Sequence, residues 1–241
     1  ALMMALKGGS VDLCAHLTSA QTAQLGSDFT VLEGTMNLVQ AVYLNNAKAP
    51  FDNEKVRQAM SYAINRQEIM DIMADGHGTP VGSSIYPKLG KYFMPELVDY
   101  YSYDPAKGKE LLAEAGYPDG FTCTMTCDQN QQRLDTAEMV QMQLAEIGIT
   151  MKIASMERGT FIDNVISGNL EMFGLGWTAD TGDPDYALFA SFHSSMHGEG
   201  GNMSFYTNPE VDKLLDLGRS STDPEVRKDA YYKVQEIVWN E

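Results

Sequence analysis

Positive charge is scarce in this chain of 241 residues. Lysine and arginine together number 17, against 33 aspartates and glutamates, which gives a formal net charge of −16. A surface of that sign repels the phosphate backbones of nucleic acids and the headgroups of anionic lipids. The composition therefore argues against general nucleic-acid binding and against adhesion to a membrane surface.

Cysteines and long apolar runs are also few. No stretch reaches the roughly 18 consecutive apolar residues of a membrane-spanning helix, so we expect no membrane span in this chain. The three cysteines, Cys14, Cys123 and Cys127, are too few and too odd in number for a disulfide framework. Cys123 and Cys127 lie in an alternating strand pattern, where four positions span about 13 Å. A disulfide requires Cα atoms within about 7 Å, so these two cysteines cannot bridge each other. Both are therefore predicted to point into the core.

Familiar catalytic motifs are missing from the sequence. It contains no nucleophile elbow, no zinc-protease histidine pair, no phosphate loop and no dinucleotide fingerprint. His193 and His197 are four positions apart, a spacing that suits metal chelation on one helical face, but Gly198 follows at once and favours a solvated loop. We therefore expect no enzyme activity, no cofactor and no metal site.

Helix starts are marked by capping residues. Asp104, Asn208 and Asp223 each precede a proline, and Asp52 or Asn53 stands before a run whose apolar residues recur on one helical face. Strand-like segments alternate with the predicted helices, at 40–44, 121–127, 149–154 and 171–176. Because the second and third strands flank a helix, they predict a right-handed parallel βαβ unit. The fold class is therefore α/β.

The segment after the fourth predicted strand has the most unusual composition. In an open sheet of this kind, ligands lie in the crevice beyond the carboxyl ends of the strands, which is where this loop begins. Trp177 supplies a flat apolar wall, and Asp180, Asp183 and Asp185 supply carboxylates within six positions. An aromatic ring beside a carboxylate suits an ammonium group, since the acid neutralises the charge and the ring face attracts it.

A purely structural interpretation of these residues stays open at this point. Trp177 would then belong to the core, Asp180 would cap a turn, and Asp183 would begin a helix. The acidic spacing does not match an EF-hand, so a calcium site is disfavoured. Just upstream, Gly174 and Gly176 are expected to let another backbone approach closely.

Four stretches of the sequence, taken in order, resemble one family. The chain is similar to the extracytoplasmic solute-binding components of peptide-type ABC importers, the family 5 proteins for dipeptides, oligopeptides or nickel complexes. The third stretch, Gly-Trp-Thr-Ala-Asp followed by Asp-Pro-Asp, is the segment singled out above. The matching stretches are 43–66, 103–120, 176–185 and 206–215 with Arg227.

The resemblance implies a fold, a place and a function. The fold would be a lobe of a type II periplasmic-binding-protein-like structure, a mixed sheet flanked by helices. Residues 1–35 would be a strip of the first lobe and 36–241 the second lobe, with both chain ends internal to a longer protein. That protein would capture di- or oligopeptides between two lobes, as a monomer, and deliver them to a permease and ATPase complex. It would be extracytoplasmic, either periplasmic or a lipoprotein at the cell surface.

The resemblance also implies site residues. Asp180 matches the acidic residue that pairs with the peptide α-ammonium, in a loop shared with Gly176, Trp177, Thr178 and Asp183. Some relatives carry a carboxylate-binding arginine near position 174, where this chain has glycine. Arg133 and Arg158 are the candidate substitutes. The expected ligand-binding set is therefore Gly176, Trp177, Thr178, Asp180, Asp183, Arg133 and Arg158.

Other functions remain open from the sequence. Relatives with the same motifs take nickel chelates, glutathione or sugars, and His193 and His197 would matter for a metal chelate. A peptide sensor or chaperone would share the same motifs as an importer subunit. A hydrolase that acts through aspartate or glutamate is a further alternative.

Overall fold

The computed structural model describes residues 2–15, 17–74 and 76–241. Within those ranges lie ten α-helices, four strands and several short 3₁₀ turns. The helices are α1 Leu2–Lys7, α2 Ser19–Thr22, α3 Glu54–Ala63, α4 Arg66–Ala74, α5 Pro105–Glu114, α6 Gln131–Ala145, α7 Arg158–Ile166, α8 Pro184–Phe192, α9 Pro209–Ser220 and α10 Pro224–Asn240. The strands are β1 Leu38–Leu44, β2 Thr122–Asp128, β3 Thr150–Met156 and β4 Met172–Thr178. The 3₁₀ turns are Pro87–Tyr92, Pro95–Leu97, Ser194–Met196 and Gly198–Gly200.

The predicted capping residues begin the helices where the sequence placed them. Asn53 accepts a hydrogen bond from the backbone of α3, and Asp104 does the same for α5. Asn208 and Asp223 each accept two backbone N–H groups at the starts of α9 and α10. These side chains satisfy N–H groups that have no partner inside the helix, and the following proline has no N–H to satisfy.

The sheet is mixed, with strand order β1-β4-β2-β3. The strands β4, β2 and β3 are parallel, while β1 runs antiparallel to β4, with Leu38 opposite Thr178. The predicted parallel βαβ unit is confirmed, since α6 connects β2 to β3. Because the three parallel strands end at the same edge, the loops that follow them share one side of the molecule.

The predicted strand bounds differ from the observed ones by up to two residues, and the difference at the end of β4 changes where the site begins. The fourth strand was expected to stop at 176, which would place Trp177 in a loop, but β4 runs on to Thr178. The reason is that β1 begins at Leu38 and pairs Val39 with Trp177. Trp177 and Thr178 are therefore held in the sheet, and the loop starts at Ala179.

The core lies on both faces of the sheet and continues between the last helices. Successive β4 side chains point to opposite faces: Met172 packs with α3, α5 and α6, while Phe173 packs with α7. A further cluster joins α8, α9 and α10 around the fully buried Tyr231. Cys123 and Cys127 are both buried, as predicted, and burial raises the pKa of the Cys123 thiol to about 12.

Residues 2–35 contribute little to these clusters. Leu25 is the one residue buried among those that the structure describes in this span, and Leu13 and Leu32 are 86% and 87% exposed. The assignment of 1–35 to a first lobe and of 36–241 to a second stays a prediction. None of the helices in the described ranges combines the length and hydropathy that crossing a bilayer requires.

Candidate functional site

The loop between β4 and α8 is anchored immediately before Asp180. The backbone N–H of Ala179 donates to the carbonyl oxygen of Asn37 at 3.0 Å, and its carbonyl accepts from Asn37 Nδ2 at 2.8 Å. Both backbone groups of Ala179 are thus paired with one residue at the start of the antiparallel neighbour. Asn37 extends the β1–β4 pairing by one residue and fixes the direction in which the chain leaves the sheet.

Asp180 is exposed at the carboxyl edge of the sheet. Among the residues that the structure describes, its carboxylate has no hydrogen-bond or ion-pair partner, so the proposed role of capping a turn has no bond to support it. A carboxylate in this position keeps its acceptor capacity for a group that arrives from outside the lobe.

Trp177, three residues before Asp180 at the end of β4, is partly buried. Its ring lies 5.4 Å from the ring of Tyr186, at an interplanar angle of 32°. Behind it, a Cβ on Gly201 would come within 2.7 Å of Trp177 Cη2 and 3.0 Å of the Ala190 carbonyl oxygen. Gly201 also has a φ of +117°, which favours glycine. The indole is therefore packed between Tyr186 and the backbone at Gly201.

The glycines upstream do not have the predicted role. A Cβ on Gly176 would lie 2.7 Å from Leu38 Cδ1 and 2.8 Å from Gln40 Oε1, and one on Gly174 would lie 3.1 Å from Met125 Cε. The expectation that another backbone approaches these positions is wrong, because neighbouring side chains fill the space. Both glycines lie inside the sheet, where such side chains cross the strand.

Asp183 is engaged by the protein itself. One of its oxygens accepts the backbone N–H of Asp185 at 2.9 Å, which caps α8 and confirms the prediction that a helix begins here. Both oxygens also lie 2.8 Å from Nη2 of Arg227 on α10. Its side chain is 47% exposed, so the carboxylate reaches the surface but is neutralised there.

A second ion pair secures the first turn of α8. Arg219 donates to both oxygens of Asp185, with Nη2 at 2.8 Å, and Tyr231 Oη donates to the same carboxylate at 3.2 Å. The guanidinium carbon of Arg219 lies 3.2 Å from the ring centroid of Phe189. Helices α8, α9 and α10 are therefore joined by two arginine–aspartate pairs just behind the loop.

Arg133 and Arg158 converge on one buried carboxylate, that of Asp128 at the end of β2. Their Nη1 atoms lie 2.8 Å and 2.5 Å from its Oδ2. Burial alone would raise the pKa of the Asp128 carboxyl, but the hydrogen bonds from Arg158 and Arg133 outweigh it and lower the pKa. Two guanidinium groups against one carboxylate leave this cluster positive. Arg133 is 18% exposed and Arg158 54%, so the accessible charge belongs mainly to Arg158.

The two histidines separate instead of forming a pair. Helix α8 ends before His193, whose Nδ1 contacts Ser195 Oγ at 2.7 Å and whose Nε2 lies 3.5 Å from Asp216 Oδ1. His197 Nε2 lies 2.9 Å from the carbonyl oxygen of Tyr206. Across the described ranges, no group of three or more histidine, cysteine, aspartate or glutamate side chains is placed to hold a metal ion.

The structure thus brings the predicted residues to one edge of the sheet, through the carboxyl ends of three parallel strands. The sequence did not predict the importance of two residues at that edge, Asn37 and Asp128. It also did not predict that Arg227 pairs with Asp183. Asn37 and Asp128 carry no local motif, since their importance comes from strand pairing and from arginines distant in sequence. Arg227 stood in a matching stretch, but nothing in the sequence linked it to Asp183.

Comparison with known proteins decides the family. Residues 1–198 match the model of the bacterial extracellular solute-binding proteins, family 5, middle region. The chain belongs to this family. The resemblance read from the four stretches is therefore confirmed, and so is the α/β fold of a type II binding-protein lobe.

Several solute-binding proteins are similar over most of this chain. The glutathione-binding protein GsiB of Salmonella choleraesuis is 36% identical over 209 residues, which cover 83% of this chain and 40% of the relative. A dipeptide-binding protein from Pseudoalteromonas, solved with Met-Leu, has a TM-score of 0.87 and 31% identity over 99% of this chain and 48% of that one. The Helicobacter pylori protein DppA, solved with the peptide STSA, has a TM-score of 0.83 and 29% identity over 98% of this chain and 46% of that one. The chain spans less than half the length of each of these proteins.

Proposed function

We propose that this chain is part of the ligand-binding subunit of an ABC importer and that it captures short peptides by their α-ammonium group. The observation that carries the proposal is the exposed, unpartnered carboxylate of Asp180, three residues beyond Trp177 and at the edge where sheets of this type bind ligands. Membership in family 5 and similarity to proteins solved with Met-Leu and STSA support it.

The chemistry of Asp180 suits an ammonium group. In a water-filled crevice the charge pair would contribute little, but closure of a second lobe would exclude water and strengthen the attraction. Desolvation of both ions offsets part of that gain, so the pair contributes most when hydrogen bonds satisfy the remaining donors. Thr178 and the carbonyl groups near Gly176 lie in the last residues of β4 and are proposed to supply those contacts. Trp177 would pack against the first side chain of the peptide.

Arg158 is proposed to bind the opposite end of the ligand. It follows β3, which lies two strand spacings from β4, a distance of about 10 Å across the sheet. An extended peptide covers about 3.5 Å per residue, so this lateral spacing by itself corresponds to about two or three residues. Arg133 is less exposed and is proposed to hold Asp128, leaving Arg158 to meet the carboxylate.

Glutathione is the second candidate ligand, and the similarity to GsiB favours it. It has the length of a tripeptide, one ammonium group and two carboxylates, so it matches an acidic site and an arginine site placed apart. Glutathione and a dipeptide would use the same two ends of the crevice. They would differ in the second carboxylate, which needs a further cationic or hydrogen-bonding partner.

The remaining properties follow from the family. We propose that the full-length protein acts outside the cytoplasm, in the periplasm or as a lipoprotein, as a monomer that delivers ligand to a permease and ATPase complex. The family is one of solute-binding proteins, and we propose that this member has no catalytic activity.

Native mass spectrometry of the full-length protein purified from cells tests the proposed ligand class. We expect bound masses that match short peptides or glutathione and that disappear after partial unfolding and dialysis. A co-purified sugar, or a nickel chelate without a free ammonium group, would contradict the proposal. Recovery of long peptides would contradict the role of Arg158 in limiting length while leaving the role of Asp180 intact.

A further inference from the structure

The loop that carries Asp180 is held at both ends. On one side, Ala179 is bonded to Asn37 through both of its backbone groups. On the other side, Asp183 is bonded through both carboxylate oxygens to Nη2 of Arg227. Only three residues, 180–182, lie between these two anchors, so the position of the open carboxylate depends on them.

Arg227 is itself fixed by the structure behind it. Its Nη1 donates to the carbonyl oxygen of Gly218 at 3.0 Å, and its guanidinium carbon lies 5.5 Å from the ring centroid of Tyr231. The side chain is 19% exposed. A planar guanidinium that is already oriented holds a carboxylate in one geometry, which the compact ammonium of lysine cannot reproduce.

Charge gives this contact a second effect. Asp180 and Asp183 are two carboxylates three positions apart in a chain of net charge −16. Arg227 neutralises the charge of Asp183. The carboxylate of the loop whose charge is not neutralised is therefore that of Asp180. Without Arg227, Asp183 would be free to turn toward the incoming ammonium and compete with Asp180 for it.

We propose that Arg227 is a positioning residue of the ligand-ammonium site. Through Asp183 it holds the loop so that Asp180 meets the ligand ammonium in place, and it prevents Asp183 from offering a second, misplaced acceptor. The inference rests on the proposed function of Asp180 and adds to it a residue that does not touch the ligand.

The Arg219–Asp185 pair offers a matched control. It is also an arginine that bonds to both oxygens of an aspartate, and it joins α9 to α8 as Arg227 joins α10 to the loop. Asp185 lies within α8 and not in the loop, however. Loss of the Arg219–Asp185 pair should therefore loosen the packing of the helices without moving the loop. Arg219→Lys therefore reports the cost of losing such a pair, separate from any effect on the site.

The test uses titration calorimetry on the full-length protein. The wild type is titrated with Met-Leu, the peptide Ser-Thr-Ser-Ala and glutathione. Every variant is then titrated with whichever of the three binds the wild type most tightly. We expect Arg227→Lys and Asp183→Asn each to weaken binding about tenfold, which corresponds to about 1.4 kcal/mol. Arg219→Lys should lower the melting temperature about as much as Arg227→Lys does, and it should leave the affinity within about twofold of the wild type. Arg227→Lys should cause no further loss of affinity in an Asp180→Asn background, since the loss it causes acts through Asp180.

The outcomes separate this inference from the proposed function. If Asp180→Asn weakens binding and Arg227→Lys does not, the positioning role is overturned and the ammonium site stands. If the two effects add in full, Arg227 acts elsewhere and the inference is also overturned. If Asp180→Asn has no effect, or none of the three probes binds, both fail. Should Arg227→Lys not fold, Asp183→Asn carries the test, because asparagine caps a helix as well as aspartate does.

Discussion

The guanidinium of Arg158 lies 2.5 Å from the buried carboxylate of Asp128, although the two residues are 30 positions apart in the chain. The contact exists because β2 and β3 are parallel and adjacent, so the residues that follow their carboxyl ends meet. It places a half-exposed positive charge at the same edge of the sheet as the open carboxylate of Asp180. The edge therefore offers both signs of charge, as the proposed zwitterionic ligand would require.

Arg158→Ala in the full-length protein should weaken the binding of a short peptide about tenfold, since a hydrogen bond to a charged group contributes about 1.5–3 kcal/mol. Calorimetry with the free-acid and C-terminally amidated forms of Met-Leu checks the cause. The amidated form should bind the variant and the wild type equally. Equal losses for both forms would show that Arg158 does not recognise the carboxylate.

Arg133→Ala provides the comparison for that experiment. This residue shares the carboxylate of Asp128 but is largely buried. We expect its loss to lower the stability of the lobe while the preference for free-acid over amidated peptide is kept. A loss of that preference would assign the carboxylate to Arg133 instead.

The stability of this chain should depend on Asp128 at acid pH. The arginines lower the pKa of this carboxyl in the folded state, so its contribution is present above the ordinary aspartate pKa of about 3.9 and is lost as pH falls through the lower folded value. Denaturant titrations of the wild type and Asp128→Asn should thus differ most above about pH 5 and converge as the pH falls through the lowered folded-state pKa. A difference that grows on acidification would contradict the ion-pair arrangement.

Gly201→Ala should displace the ring of Trp177, because the new Cβ would lie 2.7 Å from Cη2 of the indole. In a Trp239→Phe background, the fluorescence of the remaining tryptophan should shift to longer wavelength. Gly116→Ala is the control, since its φ is +92° but nothing lies within 4 Å of the added atom. A similar spectrum for both variants would show that backbone strain, and not contact with the ring, is responsible.

The isolated 241 residues should bind peptides only weakly. The chain spans less than half the length of its relatives, and a ligand held between two lobes would lose the contacts of the other one. Calorimetry on the isolated chain with Met-Leu checks this expectation. Tight binding by the isolated chain would contradict capture between two lobes.

The sequence predicts the fold well because its signals are local. Caps such as Asp104 and Asp223 satisfy their own helices, and the βαβ unit follows from two apolar runs around one amphipathic helix. The end of β4 was misplaced because strand length depends on the partner, and here Val39 continues the pairing to Trp177. A strand end of this kind cannot be read from the strand alone.

The site was predictable in its residue types and less so in their roles. The loop of Trp177 and Asp180 stands out by composition, and its position at the sheet edge follows from the topology. The distinction between Asp180 and Asp183 depends on Arg227, which lies 44 positions away and meets Asp183 only through the packing of α10. Chemically identical carboxylates in one loop thus differ because of contacts that no local pattern records.

Binding of a peptide ammonium group by Asp180 can be measured by calorimetry of the full-length wild type and Asp180→Ala, each with Met-Leu and N-acetyl-Met-Leu. We expect the substitution to weaken Met-Leu binding by at least about 2 kcal/mol, because it leaves a desolvated ammonium without its partner. Acetylation should weaken binding to the wild type and make no difference to the variant. Unchanged affinity of Asp180→Ala for Met-Leu would contradict this role of Asp180.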